Sequence, residues 1–221
     1  MKAKLYGICV FLLFLTGFFQ IEVSAQKNEQ LLSRKKEASN LKDVSRAVLD
    51  EINSARLNPQ QFITYLEDYR KQFNGSRMRD GNGRFIATIE GVAVVDEAIA
   101  FLRNQASVEP LQITEGLIKS ANLQLRDVSA NPSLGHIGAD GSTFAERIRR
   151  FGVTKGKLGE NIAYGKDVIR EIVLMWIIDD GVASRLHRQN IFNPAFKKAG
   201  VAYGTGNDGK GICVLVLAAE F

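Results

Sequence analysis

The chain holds two histidines, His136 and His187, 51 positions apart. Imidazole is the side chain best suited to ligate a metal or move a proton near neutral pH. His136 lies in Gly135-His136-Ile137-Gly138, and His187 in Arg185-Leu186-His187-Arg188-Gln189-Asn190. Both settings are polar or glycine-rich, not apolar runs. Taken singly, each fits a structural or surface histidine, and spacing alone does not pair them. Two carboxylates raise the same question. Glu146 closes Thr143-Phe144-Ala145-Glu146, a capping box in which it reaches back to the N-cap amide. Glu160 sits in Gly159-Glu160-Asn161-Ile162, where a loop enters a strand, and fits a satisfied turn residue.

Other chemistries lack their parts. The run from Gly204 to Gly211 is one residue away from a phosphate-binding loop, with Gly211 where Ser or Thr should ligate magnesium. A phosphate loop must also open a helix. Here a β-rich run follows, so the segment reads as a hairpin turn. The chain has no G-x-S-x-G, H-E-x-x-H or C-x-x-C motif. Cys213 lies in Ile212-Cys213-Val214-Leu215-Val216-Leu217, a buried-strand pattern, and reads as an inert core thiol.

The elements that must position these residues follow from periodicity. Val44, Ala47, Val48, Ile52 and Ala55 recur on one helical face. A second helical stretch starts near Phe62, and residues 94–104, 113–127 and 143–151 read as further helices. Residues 69–89 are rich in turn signals. Residues 162–164 read as a short strand, and Asp167 is placed to cap the helix carrying Ile172, Val173, Trp176 and Ile177. That helix is apolar nearly all round and belongs at the centre. Residues 200–203 and 212–218 read as an antiparallel hairpin.

At 221 residues the chain is of single-domain length, and a core can form without disulfides. Hydrophobic residues make up 45%, which excludes a disordered or collagenous chain, and a net charge of +5 does not imply nucleic acid as a partner. Lys2 and Lys4, an apolar run over residues 5–19, and Val23-Ser24-Ala25 form the pattern of a signal peptide over residues 1–25. Its apolar run is shorter than a spanning helix needs. Cleavage leaves a protein that is not integral to a membrane, destined to be secreted or periplasmic. Residues 26–41 read as a flexible lead-in, with Arg34, Lys35 and Lys36 in a solvated tail, and residues 42–221 as the domain.

Several blocks, in order, carry a resemblance. Gly159-Glu160-Asn161-Ile162 is similar to the signature of the CAP superfamily, the cysteine-rich secretory, antigen 5 and pathogenesis-related class 1 proteins. Leu49-Asp50-Glu51-Ile52-Asn53-Ser54-Ala55-Arg56 with Asn58-Pro59 resembles the first helix of that family. Gly135-His136 with Ser142, Glu146-Arg147-Ile148 and Gly152 resembles a second block. Trp176, His187-Arg188-Gln189-Asn190-Ile191, Phe196 and Gly200-Val201-Ala202 resemble a third. The chain departs from animal members in lacking their disulfides and cysteine-rich tail, which fits a bacterial exported protein. Residues 69–89 are also longer than the usual helix connection.

The resemblance implies an α+β fold, a three-layer α-β-α sandwich with a central cleft. It implies that His136, Glu146, Glu160 and His187 converge there. Two imidazoles and carboxylate oxygens suit a divalent metal, best Zn²⁺. The implied function is a metal-binding module that also takes a lipid, sterol or glycan. A metal-dependent hydrolase with Glu146 or Glu160 as base is an alternative; a serine hydrolase using Ser142 or Ser184 is a weaker form of it. A pure interaction domain with a structural His/Glu cluster is the other alternative.

Overall fold

The computed structural model describes residues 32, 33, 36, 39–80 and 83–221. The expected signal peptide, and most of the expected lead-in including Arg34 and Lys35, lie outside the described residues. The chain divides into two units, residues up to Leu41 and Lys42–Phe221. The second carries the elements that follow.

Its helices are α1 (residues 42–57), α2 (Gln61–Arg70), α3 (Val92–Asn104), α4 (Glu115–Ala130), α5 (Phe144–Arg149), α6 (Ile169–Ile178) and α7 (Leu186–Phe192). The strands are β1 (Phe73–Asn74), β2 (Arg77–Arg79), β3 (Phe85–Ala87), β4 (Gln112–Ile113), β5 (Lys155–Tyr164), β6 (Lys198–Thr205) and β7 (Gly211–Glu220). Four form the main sheet in the order β4-β6-β7-β5. Only the short β4–β6 contact is parallel; β6–β7 and β5–β7 are antiparallel. The glycine-rich turn between β6 and β7 is the expected hairpin loop.

The layers follow from the strand period of two. On β7, Cys213, Leu215 and Leu217 pack with α1, α2, α3, α6 and α7. Val214, Val216 and Ala218 face the other way, onto Leu117, Ala121 and Val128 of α4 and Ile148 of α5. Both faces of β7 are buried, which accounts for its unbroken apolar run. The result is the α-β-α sandwich. The α6 helix is central as its composition demands, with Ile172, Val173, Trp176 and Ile177 all buried. Cys213 is buried too, and burial pushes its thiol pKa well up, as an inert core thiol requires. Gly200 has a steric role: a Cβ there would collide with the α4 backbone at Leu117 and Ile118.

Three local expectations are corrected. The short strand at residues 162–164 is the end of ten-residue β5, whose glycine-rich first half hides its pattern. The turn-rich segment 69–89 builds a second sheet, the antiparallel meander β1-β2-β3. Asp167 does not cap α6, whose N-cap is Val168 without a side-chain bond. Its carboxylate instead accepts from the Tyr203 hydroxyl (2.9 Å) and the Gly211 amide (3.1 Å), tying the hairpin mouth to β5.

The first block of the sequence acts as a staple. Asn53 pairs with the Leu111 backbone as a strand would, donating to its carbonyl (3.0 Å) and accepting from its amide (2.7 Å). Fully buried Arg56 donates to the carbonyls of Glu109, Ile191, Asn193 and Phe196. Burial lowers its pKa to about 10, so the four carbonyls are its compensation for lost water.

Candidate functional site

Strand β5 forms one edge of the main sheet, and the site is built around it. Adjacent residues of a strand point to opposite faces. Glu160 therefore projects on the same side as Leu158 and Ile162, toward α5. Asn161 projects on the side of Ala163, toward α7. Each residue holds one half of the site.

On the first side, Glu160 lies against Arg147 of α5. The guanidinium donates to both carboxylate oxygens (3.0 and 2.8 Å), and both side chains are fully buried. Such a pair survives burial only with good geometry and further bonds. Arg147 supplies these by also donating to the carbonyls of His136 (3.0 Å) and Ser142 (2.9 Å). Glu160 then takes the His136 Nδ1 at 2.9 Å. The loop carrying His136 is pinned from α4 as well. Gln124 donates to the carbonyls of Gly135 and Ile137, and Asp127 accepts from the Ala139 amide.

On the second side, Asn161 donates to the His187 carbonyl (3.0 Å) and accepts from Asn190 (2.8 Å), fixing α7 to the strand. His187 is held by Asp179, the C-cap of α6, which adopts the left-handed conformation at φ 60°. Asp tolerates that conformation better than most residues. Asp179 accepts from the His187 amide (2.9 Å) and takes its Nδ1 at 2.7 Å.

The two imidazoles meet at the β5 edge with ring centroids 6.3 Å apart and planes inclined by 36°. His136 is 47% exposed and His187 19%, so both are open to a solute. With each Nδ1 bound to a carboxylate, Nε2 is the ring nitrogen left to each histidine.

The glutamates stand differently from the histidines. Glu146 completes the capping box, accepting from the Thr143 amide and hydroxyl, both at 2.8 Å. Those bonds hold its carboxyl below its ordinary pKa. Glu160 is enclosed by Arg147 and His136. Among the described residues, no three His, Cys, Asp or Glu side chains gather into a group that could hold an ion. The structure thus brings the two histidines together, with Glu160 behind one of them and Glu146 committed to its own helix. Ser142 is buried and bonded to Asp140.

Two site residues escaped sequence reasoning. Arg147 lies between Glu146 and Ile148 in the second family block, but nothing in its spacing marks it as buried. Asp179 is visible only as an acidic residue ending an apolar helix, the one available signal.

Beside His187 opens a cavity of about 360 Å³. Its walls come from Trp176 and Met175 of α6, Tyr69 of α2, Ile162 and Tyr164 of β5, and the small sheet.

An α-β-α sandwich with paired histidines at the edge of its sheet defines a recognisable class of domain. The model of the CAP, cysteine-rich secretory protein family matches residues 49–217, and the chain belongs to that family. It is 34% identical over 101 residues to YkwD, an uncharacterized Bacillus subtilis protein. That match covers 46% of this chain and 37% of the length of YkwD. Among solved structures it is similar to an outer surface protein of Borrelia burgdorferi, at 21% identity and a TM-score of 0.44. That likeness covers 52% of this chain and 80% of the other. It is also similar to an extracellular SCP-domain protein of Bacillus anthracis, at 21% identity and a TM-score of 0.40, over 57% and 37% of the two chains. Among the described residues no helix is long and apolar enough to cross a membrane.

Proposed function

We propose that this chain is an exported binding module that holds one divalent cation, best Zn²⁺, between His136 and His187, with a small ligand beside it. The observation that supports the reading is the pair of rings 6.3 Å apart, each fixed through Nδ1 by a carboxylate. That separation is close to the reach of one ion bound at Zn–N distances of about 2 Å. A carboxylate on the far nitrogen of a metal-binding histidine sets its tautomer and raises its basicity. Glu160 and Asp179 have that role here. Glu146 and Glu160 leave the ligand set expected from the resemblance, because both oxygens of Glu160 are held by Arg147 and His136 and Glu146 is turned to the Thr143 cap through Oε2. The same engagement of Glu160 favours binding over hydrolysis, since that carboxylate is not free to act as base. When bound, the cation supplies a Lewis acid. Export rests on the signal pattern of residues 1–25.

Calorimetric titration with Zn²⁺ tests this reading. The chain lacking residues 1–25 should bind one ion, and His136→Ala should weaken it by at least about a hundredfold, the scale of losing one of two protein ligands. Equal affinity in the two proteins would return the histidines to a structural role.

A further inference from the structure

The meander β1-β2-β3 ends in an open edge. Its outer strand is β3, where Phe85, Ile86 and Ala87 are all exposed. The Thr88 amide donates to the Ser76 carbonyl (3.0 Å), and the Asp80 amide to the Arg84 carbonyl (2.7 Å). Opposite residues of antiparallel strands alternate between bonded and unbonded pairs. Arg77 with Ala87 and Arg79 with Phe85 are therefore unbonded pairs. The N–H and C=O groups of Phe85 and Ala87 point away from β2, and among the described residues no other segment bonds them. Those main-chain groups are a template for one more strand.

The side chains beside that edge have a definite chemistry. Arg77 and Arg79 are exposed on β2, on the opposite face from buried Met78. Neither pairs with a carboxylate among the described residues, whereas Arg84 is paired with Asp80 (3.2 Å). The Arg79 guanidinium lies over the Phe85 ring, 5.0 Å from its centroid, which carries its charge across toward the open edge. The other face of β3 presents Ile86, 43% exposed and opposite Met78. One face of the edge is thus cationic and the other apolar. A second β3 does not fit it, because joining two such edges brings both sets of arginines together. The platform is also held in place. The Asp180 carboxylate accepts from the Ile89 and Glu90 amides, at 2.9 and 2.8 Å. Glu90 accepts from the Gly181 amide (2.8 Å) and pairs with Arg185 (2.6 Å). This latch fastens the end of the meander to the loop that precedes His187. An edge fixed in this way loses little freedom when a partner pairs with it.

We infer that β3 is a docking site for an extended acidic segment of a partner protein, which adds to the meander as a new outer strand. It requires neither the cation nor the cavity. Main-chain bonds to Phe85 and Ala87 set the register. Arg77 and Arg79 are two positions apart, about 7 Å along the strand, which is also the repeat of alternate side chains in an extended partner. Acidic residues at alternate positions of the partner meet the arginines, and the residue between them turns to Ile86. The recognised pattern is acidic, apolar, acidic. An anionic polymer without a peptide backbone would satisfy the arginines but leave the main-chain groups of β3 unpaired.

The probe is a short fluorescein-labelled peptide alternating glutamate and valine, followed by fluorescence anisotropy as protein is added. The expected result is saturable binding that weakens as salt rises. In the inferred register the glutamates share the arginine face, so their amides point at β3 and the valine amides point to solvent. N-methylation of the glutamates should weaken binding by at least about tenfold, and N-methylation of the valines should not. Ala87→Pro should match the first effect; the N–H it removes points outward, so the meander keeps its own ladder. Arg77→Glu combined with Arg79→Glu should abolish binding. The urea midpoint reads the fold of each variant, and the methylated peptides test the docking mode on the unaltered protein. Equal binding of the two methylated peptides would overturn strand addition. Polyphosphate bound as tightly as the peptide, with Ala87→Pro indifferent, would overturn it in favour of an anionic polymer. Dimerisation in sedimentation that Ala87→Pro removes, without peptide binding, would give the edge to a second copy. No binding by any probe would reduce the arginines to guards of an adhesive edge.

Discussion

His136 and His187 are both held through Nδ1 by a carboxylate, but the two carboxylates sit in different kinds of structure. Glu160 projects from the middle of a strand and is neutralised by a fully buried arginine. Asp179 ends a helix and is satisfied by backbone amides of the next one. The first arrangement is rigid and expensive to disturb, because removing Arg147 strands a buried charge. The second depends on one left-handed residue and on a loop fastened from outside. His136 is therefore the fixed member of the pair. His187 is the adjustable one, and the cavity opens beside it.

The largest expected effect is on the fixed half. Arg147→Met should lower unfolding free energy by about 3–5 kcal/mol, the scale for breaking a buried ion pair by removing one partner. Urea denaturation checks this. Asp179→Ala should cost less stability, about 1–3 kcal/mol for unsatisfied donors, yet weaken Zn²⁺ binding by about 10–100-fold. A larger stability loss for Asp179→Ala than for Arg147→Met would reverse the comparison. Asn161→Ala removes the tie between β5 and the His187 carbonyl, with an expected cost near 1–2 kcal/mol for a buried hydrogen bond.

Acid should loosen the adjustable half through its latch. The Arg185 guanidinium and the Gly181 amide lower the Glu90 pKa to about 2, from an ordinary 4.5. A depressed carboxylate stabilises the fold fully above its unfolded value, and the contribution is lost as pH falls through the folded value. The stability difference between wild type and Glu90→Gln should thus be constant above about pH 5 and shrink from there toward pH 2. A pH-independent difference would show that the Glu90 carboxylate does not fasten this loop. The smallest effect is expected for Glu146→Gln, because Gln also serves in a capping box. Stability should stay within about 1 kcal/mol and Zn²⁺ binding should be unchanged. Weaker Zn²⁺ binding by this variant would bring Glu146 back among the ligands.

The sequence made the centre of this fold plain and its edges obscure. The β6-β7 hairpin, apolar α6 and the Glu146 capping box follow from local patterns that the tertiary structure does not override. The meander of residues 73–87 does not, since its strands are two or three residues long and largely exposed, without alternation to read. The same divide runs through the site. Glu160 and both histidines were visible as motif residues. The partners of Glu160 and His187 were not, because a buried arginine and a left-handed aspartate have the same local signature as surface charges. Adjacent residues Glu160 and Asn161 serve opposite faces of one strand, and only the sheet reveals that they hold two histidines to a common edge.

In the proposed site the two imidazoles bind one cation without a glutamate ligand. Anomalous diffraction at the zinc edge, from crystals grown with Zn²⁺, tests it most directly. The predicted result is a single peak between His136 and His187 on their Nε2 side, with Glu160 still on Arg147 and Glu146 still on Thr143. A peak coordinated by Glu146 or Glu160, or no peak at the paired rings, would contradict it.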